Sequence, residues 1–212
     1  QNHEGLWYYT AFIESGLVLD DEKVQMKQAF LEIAEARKAQ FRFTANQNLI
    51  VSDIADADKD FVEVILAKYG VTQNTDAASP VRRNSLACVA FNTCPLALAE
   101  AQRYLPSLIT KIEDLLVKHS LQNEGISIRM TGCPNGCARP YISEIGFIGT
   151  AYGRYNMHLG ADVIGERLNK IYKENIDETE ILEELDTLFS RFAAKRKKKE
   201  SFGDFVVREG IV

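Results

Sequence analysis

The positions of the cysteines constrain this chain more than any other feature of its sequence. The four cysteines form two pairs, Cys88 with Cys94 (C-x5-C) and Cys133 with Cys137 (C-x3-C). Three of the four lie in stretches with Gly, Pro or Asn, Cys94 in "FNTCPL" and Cys133 and Cys137 in "TGCPNGC", and these residue types interrupt regular helices and strands. We therefore expect two cysteine-bearing loops that act together as one thiolate site, which any fold of the chain has to accommodate.

The residues around the cysteines favour thiolate binding over the burial of small apolar groups, which is the usual role of scattered cysteines. Pro95 is predicted at the first position of a helix that begins at Cys94, where free N–H groups stabilise a thiolate. The glycines beside Asn135 leave backbone N–H groups able to point at sulfur. Zinc sites commonly use C-x2-C pairs, whereas iron–sulfur clusters accept looser spacings, so the spacing favours a cluster and leaves zinc open.

Composition indicates an ordinary globular protein. The 212 residues are 46% hydrophobic and 26% charged, which suits one large domain or two small ones with an ample core and little need of disulfides. A net charge of -5 argues against nucleic acid or an anionic membrane as a partner. No apolar run approaches the roughly 20 residues that span a bilayer, and the first residues do not resemble a signal peptide. We expect a cytoplasmic protein, and the first residue, Gln1, is compatible with a piece of a longer one.

Hydrophobic periodicity predicts a mixed α/β (α+β) fold in two units, with domains at 1–76 and 77–212. In the first unit, strands are predicted at 6–12 and within 41–54, and helices at about 24–39, capped by Asp20 or Asp21, and at 57–69, ended by Gly70. Residues 71–84 lose all periodicity, which predicts the boundary between the units.

The second unit is predicted to combine strands with amphipathic helices. Strands are expected at 85–91, 125–132, 141–151 and 154–162, and helices at 92–105, after Pro106 and at 177–195. The basic run at 195–199 is interpreted as the solvated end of the last helix, where cations suit the helix dipole, and no function is given to it.

Two segments together, "CVAFNTCPLALAEAQRYLPS" (88–107) and "RMTGCPNGCARP" (129–140), strongly resemble the sulfite and nitrite reductases that contain sirohaem and a 4Fe-4S cluster. Within that family the similarity is greatest to the C-terminal half of the haemoprotein (β) subunits of NADPH-dependent sulfite reductases. It extends through 45–50, 153–160, 167–176 and 202–211, and so covers essentially the whole chain. The resemblance implies a ferredoxin-like half-domain followed by a mixed α/β domain that binds sirohaem and the cluster.

The resemblance also implies a reaction, the six-electron reduction of sulfite to sulfide in sulfur assimilation and cysteine biosynthesis. In the family, four cysteines bind the cluster and the last of them bridges it to the sirohaem iron. Carried over to this chain, Cys88, Cys94, Cys133 and Cys137 are the iron ligands, and Cys137 is the bridge. A shared thiolate would couple the two centres, and hydrogen bonds to sulfur would tune their potentials.

Further cofactor-binding residues are expected because sirohaem carries carboxylates, which arginine binds bidentately. Asn135 and Gln47 resemble family positions at the cofactor. Charge and proximity to the motifs add Arg139 and Arg154, and more weakly Arg82 and Arg83, although surface ion pairs would equally explain these arginines. His158 is interpreted as a packed structural residue.

The chain lacks a counterpart of the Arg and Lys cluster that binds the substrate anion in the family, so no catalytic residue is assigned and the chain alone is expected not to reduce sulfite. The implied partners are the N-terminal half of the same polypeptide, an NADPH-oxidising flavoprotein and a small oxyanion such as sulfite. Nitrite reduction, and a non-catalytic module with zinc or a cluster alone, stay open as alternatives. Without a bound group, both cysteine loops are expected to be mobile or oxidised.

Overall fold

The computed structural model describes residues 1–212 and divides into two compact units, Gln1–Ala78 and Ser79–Val212. The elements of each unit follow the mixed α/β class that periodicity predicts. No helix is both long and apolar enough to cross a lipid bilayer.

The first unit is built on a three-stranded antiparallel sheet with two helices packed against it. The strands, in the spatial order β1-β3-β2, are β1 (Trp7–Ala11), β2 (Gln40–Phe43) and β3 (Leu49–Ile54). The helices α1 (Met26–Ala36) and α2 (Lys59–Lys68) share one apolar core with the sheet, in which Ile33, Val51 and Val62 are almost fully buried. An antiparallel sheet commonly buries one face against other elements and leaves the other in solvent, and here the two helices pack against the sheet.

The start of α1 differs from the prediction that Asp20 or Asp21 caps it directly. The helix begins at Met26 after Gln25, and the two aspartates lie in the preceding turn. The Asp21 carboxylate accepts hydrogen bonds from the amides of Lys23 and Val24, a local turn that competes with helix formation. The Asp20 carboxylate still binds the first turn of the helix, where it accepts a hydrogen bond from the Lys27 amide at 2.8 Å.

The segment 71–84, predicted as the boundary between the units, contains the division after Ala78, and it forms two short helices that periodicity did not predict, α3 (Val71–Ala77) and α4 (Pro80–Arg83). Gly70, at φ +74°, separates α2 from α3. The Ser79 hydroxyl accepts a hydrogen bond from the Arg82 amide and so caps α4. Periodicity missed both helices because each buries a single apolar residue, Val71 in α3 and Val81 in α4.

The second unit contains a five-stranded mixed sheet in the order β4-β5-β6-β7-β8. Its strands are β4 (Ser85–Ala87), β5 (Ile128–Thr131), β6 (Ile145–Ala151), β7 (Arg154–Leu159) and β8 (Lys170–Ile176). Strands β4, β5 and β6 run parallel to one another, β7 is antiparallel to β6, and β8 is antiparallel to β7. A parallel pair needs a long crossover connection, and α5 (Leu105–Lys118) lies in the connection between β4 and β5.

The helices of the second unit bury apolar stripes that the sequence shows clearly. Helix α5 and helix α6 (Glu178–Lys195) contact each other and share one core with the sheet, in which Leu108, Ile112, Leu185 and Phe189 are almost fully buried. A capping box at Asp177 begins α6, because the Asp177 carboxylate accepts from the Glu180 amide and the Asp177 amide donates in return to the Glu180 carboxylate. A last short helix, α7 (Phe202–Arg208), closes the core.

The helix predicted over 92–105 is absent, and turns occupy this segment up to α5. Ala90 and Asn92 adopt left-handed backbone angles, φ +48° and +67°, and these angles do not occur in a regular α-helix or β-strand. The predicted strand at 85–91 is correspondingly short, ending at Ala87. The strand β8 and the helix α7 were not predicted from periodicity, because β8 is mostly exposed and α7 is only seven residues long.

Candidate metal centre

The two cysteine motifs begin side by side at one edge of the sheet. Cys88 directly follows β4, and Cys133 lies two residues beyond β5. Since β4 and β5 are parallel neighbours, their carboxyl ends meet at the same edge, where open α/β sheets bind ligands. The Cys88 amide extends this pairing by donating to the Met130 carbonyl at 3.1 Å. Sheet topology therefore brings together two motifs that are far apart in the sequence.

Gly132 joins the two cysteine loops through its backbone. Its amide donates to the Cys88 sulfur at 3.3 Å, and its carbonyl accepts from the amides of Leu98 at 2.7 Å and Ala99 at 3.0 Å. A Cβ at this position would lie 2.5 Å from the Ala99 carbonyl oxygen and 2.9 Å from the Ala90 Cβ. Only glycine fits between the two loops without a backbone shift.

The Cys88–Cys94 loop is a series of turns, so the prediction that Cys94 lies at a helix N-terminus is wrong. The Cys94 amide donates to the Ala90 carbonyl at 2.9 Å, and its carbonyl accepts from the Ala97 amide at 3.2 Å. An exposed guanidinium, that of Arg103, donates to the Phe91 carbonyl at 2.6 Å. The segment after Cys94 follows the Gly132 backbone instead of coiling, and no helix dipole acts on this sulfur.

The Cys133–Cys137 loop is shorter than the Cys88–Cys94 loop, because three residues separate its cysteines instead of five. Gly136 adopts φ +69°, a conformation that suits glycine, and its carbonyl accepts from the Arg139 amide at 2.7 Å. Cys133 is buried at one end of the loop and Cys137 is exposed at the other. Asn135 lies exposed at the tip between them. The two cysteines of this loop thus differ in access to solvent.

All four cysteines are free thiols, and the ionisation of Cys88 depends on both loops. Burial raises the pKa of the half-buried Cys88 thiol, and the hydrogen bond from the Gly132 amide partly offsets that rise. Cys137 and Cys133 contribute further small increases, which places these sulfurs within electrostatic reach of Cys88. A bound metal would reverse this balance, because coordination deprotonates a thiol.

The donor set fits an iron–sulfur cluster better than a zinc ion. Zinc held tetrahedrally at about 2.3 Å needs sulfurs about 3.8 Å from one another, and no three metal-binding side chains gather around one point in this way. A four-iron cluster binds each thiolate to a different iron, so its sulfurs stand farther apart, and backbone N–H groups near sulfur tune it. The structure shows one of these properties, the Gly132 amide that donates to the Cys88 sulfur at 3.3 Å.

Two arginines lie beside the Cys133–Cys137 loop. Arg139, which was predicted to bind the cofactor, is exposed just after the loop with φ +55°. Arg129, on β5, was not predicted. Its guanidinium donates to the Arg139 carbonyl at 3.4 Å, forms no ion pair, and has its pKa lowered by burial and by the charge of Arg139. A lone charged residue inside a buried strand next to a motif was the sequence signal that could have identified it.

The other arginines from the sequence prediction have structural partners. The Arg82 guanidinium lies 2.6 Å from the Glu113 carboxylate, and Arg83 is exposed. Arg154 lies 3.1 Å from Glu180 and 3.6 Å from Asp177, at the start of α6. These contacts hold helices α4, α5 and α6 in place, and Arg129, which forms no ion pair, is a better candidate for an anionic ligand.

Gln47 and His158 complete the set of predicted residues. Gln47 belongs to the first unit, in the turn between β2 and β3, with φ +62° and its side chain packed close to Gly16. His158, on β7, is buried and its ring packs edge-on against Tyr141 at 5.5 Å between centroids. Burial lowers the pKa of His158, in keeping with a packed neutral ring.

Comparisons with known proteins give a consistent family. Residues 1–69 match the family model described as the nitrite/sulfite reductase ferredoxin-like half domain. The sulfite reductase [NADPH] hemoprotein beta-component of Leptospira biflexa is 62% identical over 212 residues, which is 100% of this chain and 38% of that protein. The protein of the same name from Staphylococcus saprophyticus is 54% identical over 208 residues, 98% of this chain and 36% of that protein.

Among solved structures, the NirA protein of Mycobacterium tuberculosis is similar to the whole fold. The match has a TM-score of 0.76 and 26% sequence identity, and it covers 97% of this chain and 39% of that chain. The chain therefore spans less than two fifths of the length of the relatives it matches.

Proposed function

Because the chain belongs to the nitrite and sulfite reductase family, we propose that it holds the 4Fe-4S cluster and one face of the sirohaem in the haemoprotein component of an NADPH-dependent sulfite reductase. The observation that carries the proposal is the meeting of two cysteine motifs at one sheet edge, linked by the Gly132 backbone. The whole enzyme would reduce sulfite to sulfide by six electrons, in the assimilatory route to cysteine.

The four cysteines have distinct roles in this proposal. Cys88, Cys94, Cys133 and Cys137 bind the irons, and the two cofactors, when bound, supply the electron transfer and the multi-electron reduction. The Gly132 amide stabilises negative charge on the Cys88 sulfur, which favours the ligating thiolate. The exposure of Cys137 supports its role as the bridging ligand, because a bridging sulfur has to reach a second group at the protein surface.

The arginines beside the loop would bind carboxylates of the sirohaem. Arg129 is half-buried and forms no ion pair, and its neighbour Arg139 adds a second positive charge. Guanidinium groups bind carboxylates bidentately, and partial burial strengthens the interaction. The exposed amide of Asn135 lies in the same loop. Gln47 is proposed as a further cofactor-binding residue because it resembles a family position, and Arg154 because of its charge and its proximity to the motifs in the sequence.

Substrate and partners are inferred from the relatives. Sulfite is favoured over nitrite because the relatives at 62% and 54% identity are named sulfite reductases. We propose an NADPH-oxidising flavoprotein as the electron donor and the cytoplasm as the location. The residues that bind sulfite itself would come from the part of the longer relatives that this chain does not span.

The test is metal analysis of the chain after anaerobic reconstitution with iron and sulfide. The proposal predicts broad brown absorbance with about four irons and four labile sulfides per chain, and sharp macrocycle bands when sirohaem is also supplied. Zinc at one equivalent per chain, retained in a colourless sample under the same conditions, would instead support the structural zinc module and reject the reductase role for these cysteines.

A further inference from the structure

The Cys133–Cys137 loop is covered by one aromatic side chain, that of Tyr141. Its hydroxyl donates to the Pro134 carbonyl at 3.2 Å. Its ring lies against Gly136 so closely that a Cβ there would be 3.0 Å from the ring carbon Cε2. Tyr141 therefore contacts the residue after the first cysteine of the loop and the residue before the last one.

Tyr141 is itself held by a buried amide. It lies in a 3-10 turn, Pro140–Ile142, and its carbonyl accepts a hydrogen bond from the Asn169 amide at 2.9 Å. The Asn169 side chain donates to the carbonyls of Pro140 at 2.6 Å and Ser143 at 2.9 Å. Asn169 is only 8% exposed, so these hydrogen bonds are protected from competition by water.

The ring of Tyr141 is also supported from β7. His158 packs against it edge-on, with 77° between the ring planes, and is itself buried. The Cys88–Cys94 loop is contacted by exposed side chains, and its Phe91 ring stacks on the exposed ring of Tyr152 at 6.1 Å between centroids. The side chain that hydrogen-bonds to it, Arg103, is exposed, and the loop contains the left-handed Ala90.

From these contacts we propose that Tyr141 is a positioning residue that holds the Cys133–Cys137 loop in its ligand-binding shape before any cluster is present. This loop is then the preformed half of the metal centre, and the Cys88–Cys94 loop adjusts to the cluster afterwards. The proposal rests on the proposed function for the role of the loop, and it replaces the expectation that both loops are mobile without a bound group. A preorganised ligand loop lowers the entropic cost of binding.

The first test uses the cluster-free 212-residue chain under reducing conditions and measures the alkylation rate of each cysteine by mass spectrometry. Cys133 is buried, so its alkylation reports opening of the loop. Tyr141→Phe removes the hydroxyl and keeps the ring, and we expect Cys133 to react roughly fivefold faster, the effect of one lost hydrogen bond. Tyr141→Leu removes both contacts, and a larger increase is expected.

Tyr172→Phe is the matched control, because its hydroxyl donates to the Glu184 carboxylate at 2.7 Å elsewhere in the same unit. This variant should leave the Cys133 rate unchanged. The Cys88 rate should stay the same in all three variants, which separates loop opening from general unfolding. Equal Cys133 rates in wild type and folded Tyr141→Phe, or equal increases at Cys88 and Cys133, would overturn the proposal.

A double-mutant cycle tests the contact between the ring and the glycine. Gly136→Ala should accelerate Cys133 alkylation, because the new Cβ meets the Tyr141 ring and the residue has φ +69°. The acceleration should be smaller in the Tyr141→Leu background, where the ring is gone and only the backbone strain remains. Strictly additive effects would show that the ring does not shape the loop.

The reconstituted chain supplies a second readout that depends on the proposed function. Tyr141→Phe should lose its brown absorbance several times faster than wild type when an iron chelator is added, and Tyr172→Phe should match wild type. Equal rates of loss in Tyr141→Phe and wild type would contradict the proposal. If wild type takes up no cluster at all, the proposed function fails, and the alkylation rates of the cluster-free chain still decide the role of Tyr141.

Discussion

The backbone amide of Gly132 lies 3.3 Å from the sulfur of Cys88 and donates a hydrogen bond to it. This bond joins two cysteine motifs across 44 positions of sequence, and it exists because β4 and β5 are parallel neighbours that end at the same sheet edge. The candidate metal centre is therefore a product of sheet topology.

Gly132→Ala should destabilise the second unit by about 1–3 kcal/mol, the usual cost of forcing extra atoms into a packed site. The added Cβ would meet the Ala99 carbonyl oxygen at 2.5 Å, and backbone cannot move aside as a flexible side chain can. Urea unfolding followed by circular dichroism measures the change. Gly153→Ala is the control, because its Cβ meets nothing within 4 Å and only the φ of +66° opposes it. A smaller loss in Gly132→Ala than in Gly153→Ala would contradict the packing described here.

The contact between Glu113 and Arg82 predicts a pH-dependent contribution to stability. Burial tends to raise the pKa of Glu113, but hydrogen bonds from Arg82 and Ser79 outweigh it and hold the pKa below the ordinary value of 4.5. A carboxyl whose pKa is lowered by folding stabilises the fold above its unfolded-state pKa, and this contribution is lost as the pH falls through the folded-state pKa.

Glu113→Gln should therefore lower the free energy of unfolding at about pH 7 by roughly 1–3 kcal/mol, the range for hydrogen bonds to charged groups. At about pH 3 its difference from wild type should shrink, because the wild-type carboxyl is then largely protonated. Urea titrations at both pH values provide the comparison, with the exposed Glu183→Gln as control. A difference that grows on acidification would mean that Arg82 does not stabilise the ionised form.

Asp177→Ala should cost about 1 kcal/mol, the usual effect of removing an N-cap side chain. The Asp177 carboxylate accepts from the Glu180 amide at 3.1 Å, and the Glu180 side chain accepts in return from the Asp177 amide at 3.0 Å. Helix α6 contributes five buried apolar residues to the core, so fraying at its first turn should reach the whole second unit. The shift in thermal unfolding midpoint measures this, and Glu183→Ala, on the exposed face of the same helix, should cause a clearly smaller shift.

Regular elements with strong apolar periodicity could be predicted from the sequence, and the paths of the loops could not. Helix α6 was found within one residue at its start because its buried residues, among them Leu185 and Phe189, recur at helical spacing. The segment "ALAEAQRYL" has equally good helix formers, but Leu98 and Ala99 bond to the Gly132 carbonyl instead, a long-range contact that local propensity does not contain.

The chemistry of the site was only partly visible for a similar reason. Spacing and neighbouring glycines identified the cysteine loops, whereas charge and proximity in sequence suggested Arg82 and Arg154, which the fold pairs with carboxylates. Arg129 was overlooked because its lack of an ion pair depends on burial and on what the tertiary structure places beside it. Candidate ligand residues can be identified from local sequence, whereas the groups that surround them depend on the fold.

The most direct measurement of the central claim is the iron and labile sulfide content of four single variants, Cys88→Ser, Cys94→Ser, Cys133→Ser and Cys137→Ser, reconstituted beside wild type and the control Tyr172→Phe. If the four thiolates hold one cluster, wild type and control should carry about four irons and four sulfides per chain, and each serine variant should retain well under half of that content. Full, stable cluster content in any one of the serine variants would show that its cysteine is not a ligand and would contradict the account of this site.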